Sequence, residues 1–229
     1  MRTVFDENQR AELASWKAWM AVNRLREFAK ASEDIPFSPD EEEEIWLSFC
    51  RENRIDPSQP GAVPPDFGGL PPAKMRHVAL RDARIQKWKD ATFGPDAAEH
   101  FARRRQSLDR IVYSMIRVDS AGLARELGFR ILEGEESFAE ISRRYSAGEE
   151  KHGGGVVGPV AMGNIHPALA ETLRTARPGD LLGPFQVADW FVLAKVEAHL
   201  PAELDGAMRR RMIDELAVLW AEKKCHGQG

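Results

Sequence analysis

Apolar residues recur near the amino end of the chain at steps of three to five, as Leu13, Trp16, Met20, Leu25 and Phe28, with Trp19 widening the stripe. Polar and charged positions fill the intervals, which predicts an amphipathic helix over 6–31. Ser38-Pro39-Asp40-Glu41 predicts a second helix start: Ser38 as N-cap, Pro39 at the first helical position, Glu41 three residues after the cap. The acidic run Glu41–Glu44 falls in the first turn, where the helix dipole favours negative charge. Ile45, Trp46 and Phe49 supply its buried side. Prolines and glycines crowd 56–72, a loop or linker. A third helix is predicted over 73–92, with Met75, Val78, Ile85 and Trp88 inward and Gly94 as terminator. A fourth covers 97–108.

Near Arg110 the period shortens. Ile111–Val118 reads as a strand. Asp119-Ser120 caps a helix to Leu132, and Ser137-Phe138-Ala139-Glu140 is a capping box opening a short helix to Tyr145. A polar loop leads to Gly153-Gly154-Gly155 and then to a brief β-branched run, Val156–Val160. After the Met162-Gly163-Asn164 turn a helix is predicted over 165–176. Strands follow at 181–187 and 191–197, with Asp189-Trp190 as the hairpin turn between them. A last helix over 204–224 places Leu204, Met208, Met212, Leu216 and Leu219 on one stripe, flanked by Ile213 and Trp220.

The three glycines suit a backbone that needs positive φ or a close approach. A phosphate loop would require Lys-Ser/Thr after them, or a GxGxxG spacing opening a helix, and neither is present. The remaining reading is a glycine hinge between helix and strand, lining a small apolar groove.

Composition narrows the classes. The chain of 229 residues is 43 % hydrophobic and 30 % charged, ordinary for a globular protein with a buried core. A net charge of −4 argues against nucleic acid as the main partner. The basic runs Arg103–Arg105 and Arg209–Arg211 sit in helical patterns rich in Glu and Asp and read as solvated faces. Cys50 and Cys225 are two thiols that suit a reducing compartment. The amino end has no apolar h-region, and no apolar run approaches the ~20 residues of a membrane helix. The expectation is a cytoplasmic protein with no membrane contact. No histidine pair has metal-ligand spacing and no nucleophile elbow occurs, so neither metal nor cofactor is expected. Nothing in the sequence specifies an oligomeric state.

Five pieces in one order over about 90 residues carry a resemblance: Phe138-Ala139 to Tyr145-Ser146; Gly154-Gly155-Val156-Val157-Gly158; Gly163-Asn164-Ile165-His166-Pro167-Ala168-Leu169; Pro178-Gly179-Asp180-Leu181-Leu182-Gly183-Pro184; and Lys195-Val196-Glu197. Together they resemble the parvulin-type, PpiC-like peptidyl-prolyl cis-trans isomerases. The helical first half and long last helix resemble the SurA/PrsA/NifM layout. The resemblance implies an α+β parvulin-like domain at 110–199, with a four-stranded, mostly antiparallel sheet. It would be inserted into a helical chaperone-like domain at 1–109 that the helix at 200–229 completes.

The implied activity is isomerisation of Xaa-Pro bonds in an unfolded or proline-containing polypeptide client, weak and with chaperone character. The alternative is a non-catalytic peptide-binding chaperone, or a dedicated maturation factor using the same groove. Tyr145 and Ser146 match the family's polar site position and are the candidate catalytic residues. Ile165 and Leu169 match its apolar proline-pocket positions, with His166 between them. The family's core histidine pair falls here on Met115 and on Val192, or Phe191 if the register slips by one. Met115 and Val192 therefore join the candidate substrate-binding residues.

Overall fold

The computed structural model describes residues 7–56 and 71–226. They form two compact units, one from the chain up to His100 and from Asp205 onward, the other over Phe101–Leu204. The predicted linker lies, from 57 to 70, outside the described residues.

The first unit is helical: α1 (Glu7–Ala31), α2 (Pro39–Glu52), α3 (Pro72–Phe93) and, from the far end of the chain, the helix Gly206–His226. The capping box of α2 forms as its sequence dictates, with the Ser38 hydroxyl accepting from the Glu41 N–H and Glu41 accepting from the Ser38 N–H. Trp46, Cys50, Ile55 and Met75 make a core with Phe49 packed against it. Phe28, Trp88 and Trp220 form an aromatic cluster, with ring centroids 5.9 Å apart for Phe28–Trp88 and 5.0 Å for Trp88–Trp220. Both cysteines are free thiols.

Two predicted stripes are corrected. In α1 Met20 and Phe28 are buried, whereas Trp16, Trp19 and Leu25 of the expected stripe are exposed. The steps of three to five drift around the helix, so one neighbouring surface cannot cover them all. The last helix begins at Gly206, leaving Leu204 outside it. Its buried face is Met212, Ile213, Ala217 and Ala221, and Leu219 is exposed. Gly94 follows α3 in right-handed helical conformation and not as a left-handed cap.

After α4 (Ala97–Leu108), the second unit runs β1 (Arg110–Val118), α5 (Ala121–Leu132), α6 (Phe138–Tyr145), β2 (Val156–Ala161), α7 (Pro167–Thr175), β3 (Leu181–Val187) and β4 (Trp190–Leu200). The strands lie in the order β2-β1-β4-β3 and every pair is antiparallel. β1 and β4 are central, and their alternating residues feed two cores. Ile116, Val118 and Leu193 pack with Ala124 and Leu127 of α5 and Phe138 and Ile141 of α6. Ile111, Tyr113, Ala194 and Val196 pack on the opposite side with Leu169, Ala170 and Leu173 of α7.

Three boundaries shift. The β3–β4 turn is Ala188-Asp189, with Ala188 at φ 52°, so Trp190 already belongs to β4. Helix α7 starts at Pro167, because Ile165 and His166 are extended and proline is favoured at the first helical position. The polar loop before the glycines contains one 3-10 turn, Glu149–Gly153.

Candidate functional site

Strand alternation decides which candidate residues meet. Met115 pairs with Ala194 and Arg117 with Val192 across β1 and β4, and Phe185 of β3 pairs with Val192. Met115, Arg117, Val192 and Ala194 therefore share the sheet face of Tyr113 and α7. Of the two register choices for the second histidine position, Val192 lies on this face, and Phe191 packs in the opposite core. Ile165 and Leu169 are 9 % and 4 % exposed and form the floor of the same cluster. Met115, Val157, Val160, Leu182 and Phe185, all partly exposed, surround that floor. His166 is exposed beside it, at the N-cap of α7, and makes no capping bond with its side chain.

The glycines pack the hinge against α6. Gly154 and Gly155 have φ of 66° and 92°, a region costly for any residue with a Cβ. A Cβ on Gly155 would lie 2.9 Å from Ser142 Oγ and 3.0 Å from the Met115 carbonyl oxygen. The Gly155 carbonyl accepts the Met115 N–H at 2.8 Å, which joins the hinge to the strand under the face.

Tyr145 and Ser146 lie outside the cluster of Ile165 and Leu169. Tyr145 ends α6 and packs into the core on the other side of the sheet. Its phenol accepts from Arg130 at 3.4 Å, and hydrogen bonds from Arg130 and Arg144 hold its pKa below the usual tyrosine value. Ser146 is buried and spent on structure. Its Oγ accepts the Arg117 N–H at 3.0 Å and donates to Glu150 Oε1 at 2.6 Å.

The polar side chains of β1 that share the apolar face are Arg117 and Tyr113. The Arg117 Nε donates to Glu150 Oε1 at 2.9 Å and Nη2 donates to Oε2. Burial pushes the Glu150 carboxyl up, but bonds from Arg117 and Ser146 outweigh it and hold the pKa below the ordinary carboxylate value. Burial raises the Tyr113 phenol, with the Arg117 and Glu150 charges acting on it in opposite senses. Arg117 was visible in the sequence as the one charge inside Ile111–Val118; Glu150, 33 residues away, had no local signal. Among the described residues, no three His, Cys, Asp or Glu side chains converge as a metal site.

Comparison with known proteins agrees with this geometry. Residues 117–198 match the family model of the rotamase, PPIC-type PPIase domain. That match lies wholly within the second unit. Among solved structures, peptidylprolyl isomerase PrsA from Bacillus anthracis is similar at 15 % identity and a TM-score of 0.50, over 92 % of this chain and 97 % of that one. That likeness extends the shared fold beyond the matched domain into the helices. A PpiC-type isomerase domain aligns at 19 % identity and a TM-score of 0.40, over 44 % of this chain and 99 % of its own. A structure of the SurA-like chaperones PEB4 and Cj1289 of Campylobacter jejuni aligns at 12 % identity and a TM-score of 0.41, over 100 % of this chain and 84 % of its own. No curated protein matches the chain.

Proposed function

We propose that the protein is a weak peptidyl-prolyl cis-trans isomerase with chaperone character, acting on Xaa-Pro bonds of unfolded or proline-containing polypeptide. Rotation about a peptide bond faces a barrier of ~18–20 kcal/mol, while the two isomers at proline differ by only about 0.5–1 kcal/mol. A catalyst of this step needs no metal. It needs an apolar seat for the proline ring and some exclusion of water while the amide is twisted.

The observation that carries the reading is that the rotamase match over residues 117–198 takes in Ile165, Leu169 and Val192, and that Met115 of the adjoining strand packs against the cluster of Ile165 and Leu169. Weak turnover follows from the two apolar residues at the histidine positions, which keep the seat and remove its imidazoles. The test is NMR exchange spectroscopy on a short Ala-Pro peptide. Faster cis–trans exchange is expected, with shifts at Met115, Ile165 and Leu169. No acceleration at high protein concentration overturns it.

A non-catalytic peptide-binding chaperone, or a dedicated maturation factor using the groove, is the second reading. The missing imidazoles and the exposed apolar side of α1, with Trp16, Trp19, Val22 and Leu25, favour it. It predicts suppressed aggregation of an unfolded client with unchanged Xaa-Pro exchange.

A further inference from the structure

We infer that Arg117 is the hydrogen-bond donor of the groove: its guanidinium contacts the main chain of a bound proline-containing peptide, while Glu150 and Ser146 are positioning residues that aim it. The inference rests on the proposed groove and deepens it.

The remaining groove-side positions of β1 are Ile111, Tyr113 and Met115, so Arg117 is the only charge on that row. A charge on an apolar face is costly unless it is paired. Here the pairing uses one edge of the guanidinium. Nε and Nη2 each give one N–H to Glu150, two of the five that an arginine carries. Among the described residues, the other three have no acceptor. Exposure divides the pair in the same sense: the Glu150 side chain is 4 % exposed and that of Arg117 33 %. The carboxylate is the buried anchor and the guanidinium is the part that meets solvent.

The loop is cut to fit this arrangement. A Cβ on Gly148 would fall 2.5 Å from Arg117 Cζ, so the guanidinium occupies the space a side chain there would fill. Gly148 has an ordinary φ of −98°, so backbone strain does not demand glycine there; the space for Arg117 does. Ser146 ties both ends of the pair, accepting from the Arg117 backbone and donating to Glu150. The fork is thereby fixed in direction before any peptide arrives, which lowers the ordering cost of binding.

The chemistry of the amide separates two uses of this donor. A bond to the proline's own carbonyl oxygen, outside the rotating amide, adds affinity and leaves the rotation barrier alone. A bond to the prolyl nitrogen favours the twisted amide, where that nitrogen regains its lone pair, and adds rate. In both cases the contact is to the peptide main chain.

The experiment titrates the full-length protein with a short Ala-Pro peptide, following the Arg117 Nε–H resonance and the dissociation constant. The Nε–H signal is expected to shift together with Ile165 and Leu169. The double variant Arg117→Gln with Glu150→Gln leaves no buried unpaired carboxylate. It is expected to keep its circular dichroism and thermal midpoint and to bind the peptide about tenfold more weakly, the loss of one charge-assisted bond. Arg117→Lys keeps the charge without the planar fork and should fall between the two. A folded double variant that binds within twofold of wild type overturns the inference. So does a wild-type titration in which Ile165 and Leu169 move and Arg117 does not, a result that stands even if the variant does not fold. Failure of the groove itself looks different: wild type binds no peptide and none of the three residues moves, which removes both readings.

Discussion

Ser146 was selected from the sequence as a catalytic candidate, and the structure employs it in another way. It accepts from the Arg117 N–H and donates to Glu150, so one hydroxyl joins β1 to the loop after α6. Ser146→Ala strands a buried backbone donor and removes a bond to a charged acceptor. A loss of about 1–3 kcal/mol is expected in urea unfolding. The linked carboxyl sets a pH dependence. The folded pKa of Glu150 lies below its unfolded value, so its contribution to stability is fully present above the unfolded value. That contribution is lost as pH falls through the folded value. Urea midpoints between pH 7 and pH 3 should therefore fall less steeply in the Arg117→Gln, Glu150→Gln double variant than in wild type. At this scale the sequence told faces apart only within a strand. Met115 and Val192 were paired only by the family resemblance, and the register of β1 with β4 puts them on one face. The face that Tyr145 takes depends on how the end of α6 meets the sheet, a tertiary fact.

Elements were legible wherever their ends are written in side chains. The box at Ser137 and Glu140 formed with both reciprocal bonds, and α6 starts where it predicts. Ser137→Ala should destabilise the protein by about 0.5–2 kcal/mol, read from the same urea transitions. Boundaries set by contacts were less legible: Ile165 sits in extended chain because α7 waits for Pro167, and Trp190 joins β4 because Ala188-Asp189 makes the turn. The glycine hinge is an element whose need is steric. Gly155→Ala puts a methyl at positive φ against Ser142 and the Met115 carbonyl. The left-handed conformation alone costs about 1–2 kcal/mol. Thermal melts should show at least that loss, and shifts should spread from 155 to Met115, its backbone partner.

Across the whole molecule, the exposed positions of α1 were the least predictable part. Trp16 and Trp19 count as apolar in any periodicity, yet both are exposed while Met20 and Phe28 are buried. The sheet was the most predictable part, because period-two runs bounded by Gly and Pro leave few alternatives. Its stability is testable at Ile116, fully buried at 0 % exposure between the strands and α5. Ile116→Ala should cost about 2–5 kcal/mol, measured by denaturant unfolding.

The pairing of Arg110 with Leu200 on the two central strands has a consequence for how the first unit assembles. Helices α1 to α3 and the helix Gly206–His226 belong to one unit although the entire second unit separates them in the chain. While that unit is unfolded, bringing the last helix to the others closes a loop of on the order of a hundred residues. Once the sheet has formed, positions 110 and 200 are cross-strand neighbours about 5 Å apart, and the effective loop shrinks to about a dozen residues. With closure entropy growing as (3/2)RT ln n, the saving is about 2 kcal/mol. The sheet is therefore a chain-shortening device for the helices. Ile116→Ala should slow the refolding phase reported by Trp88 and Trp220 fluorescence, although it touches neither ring.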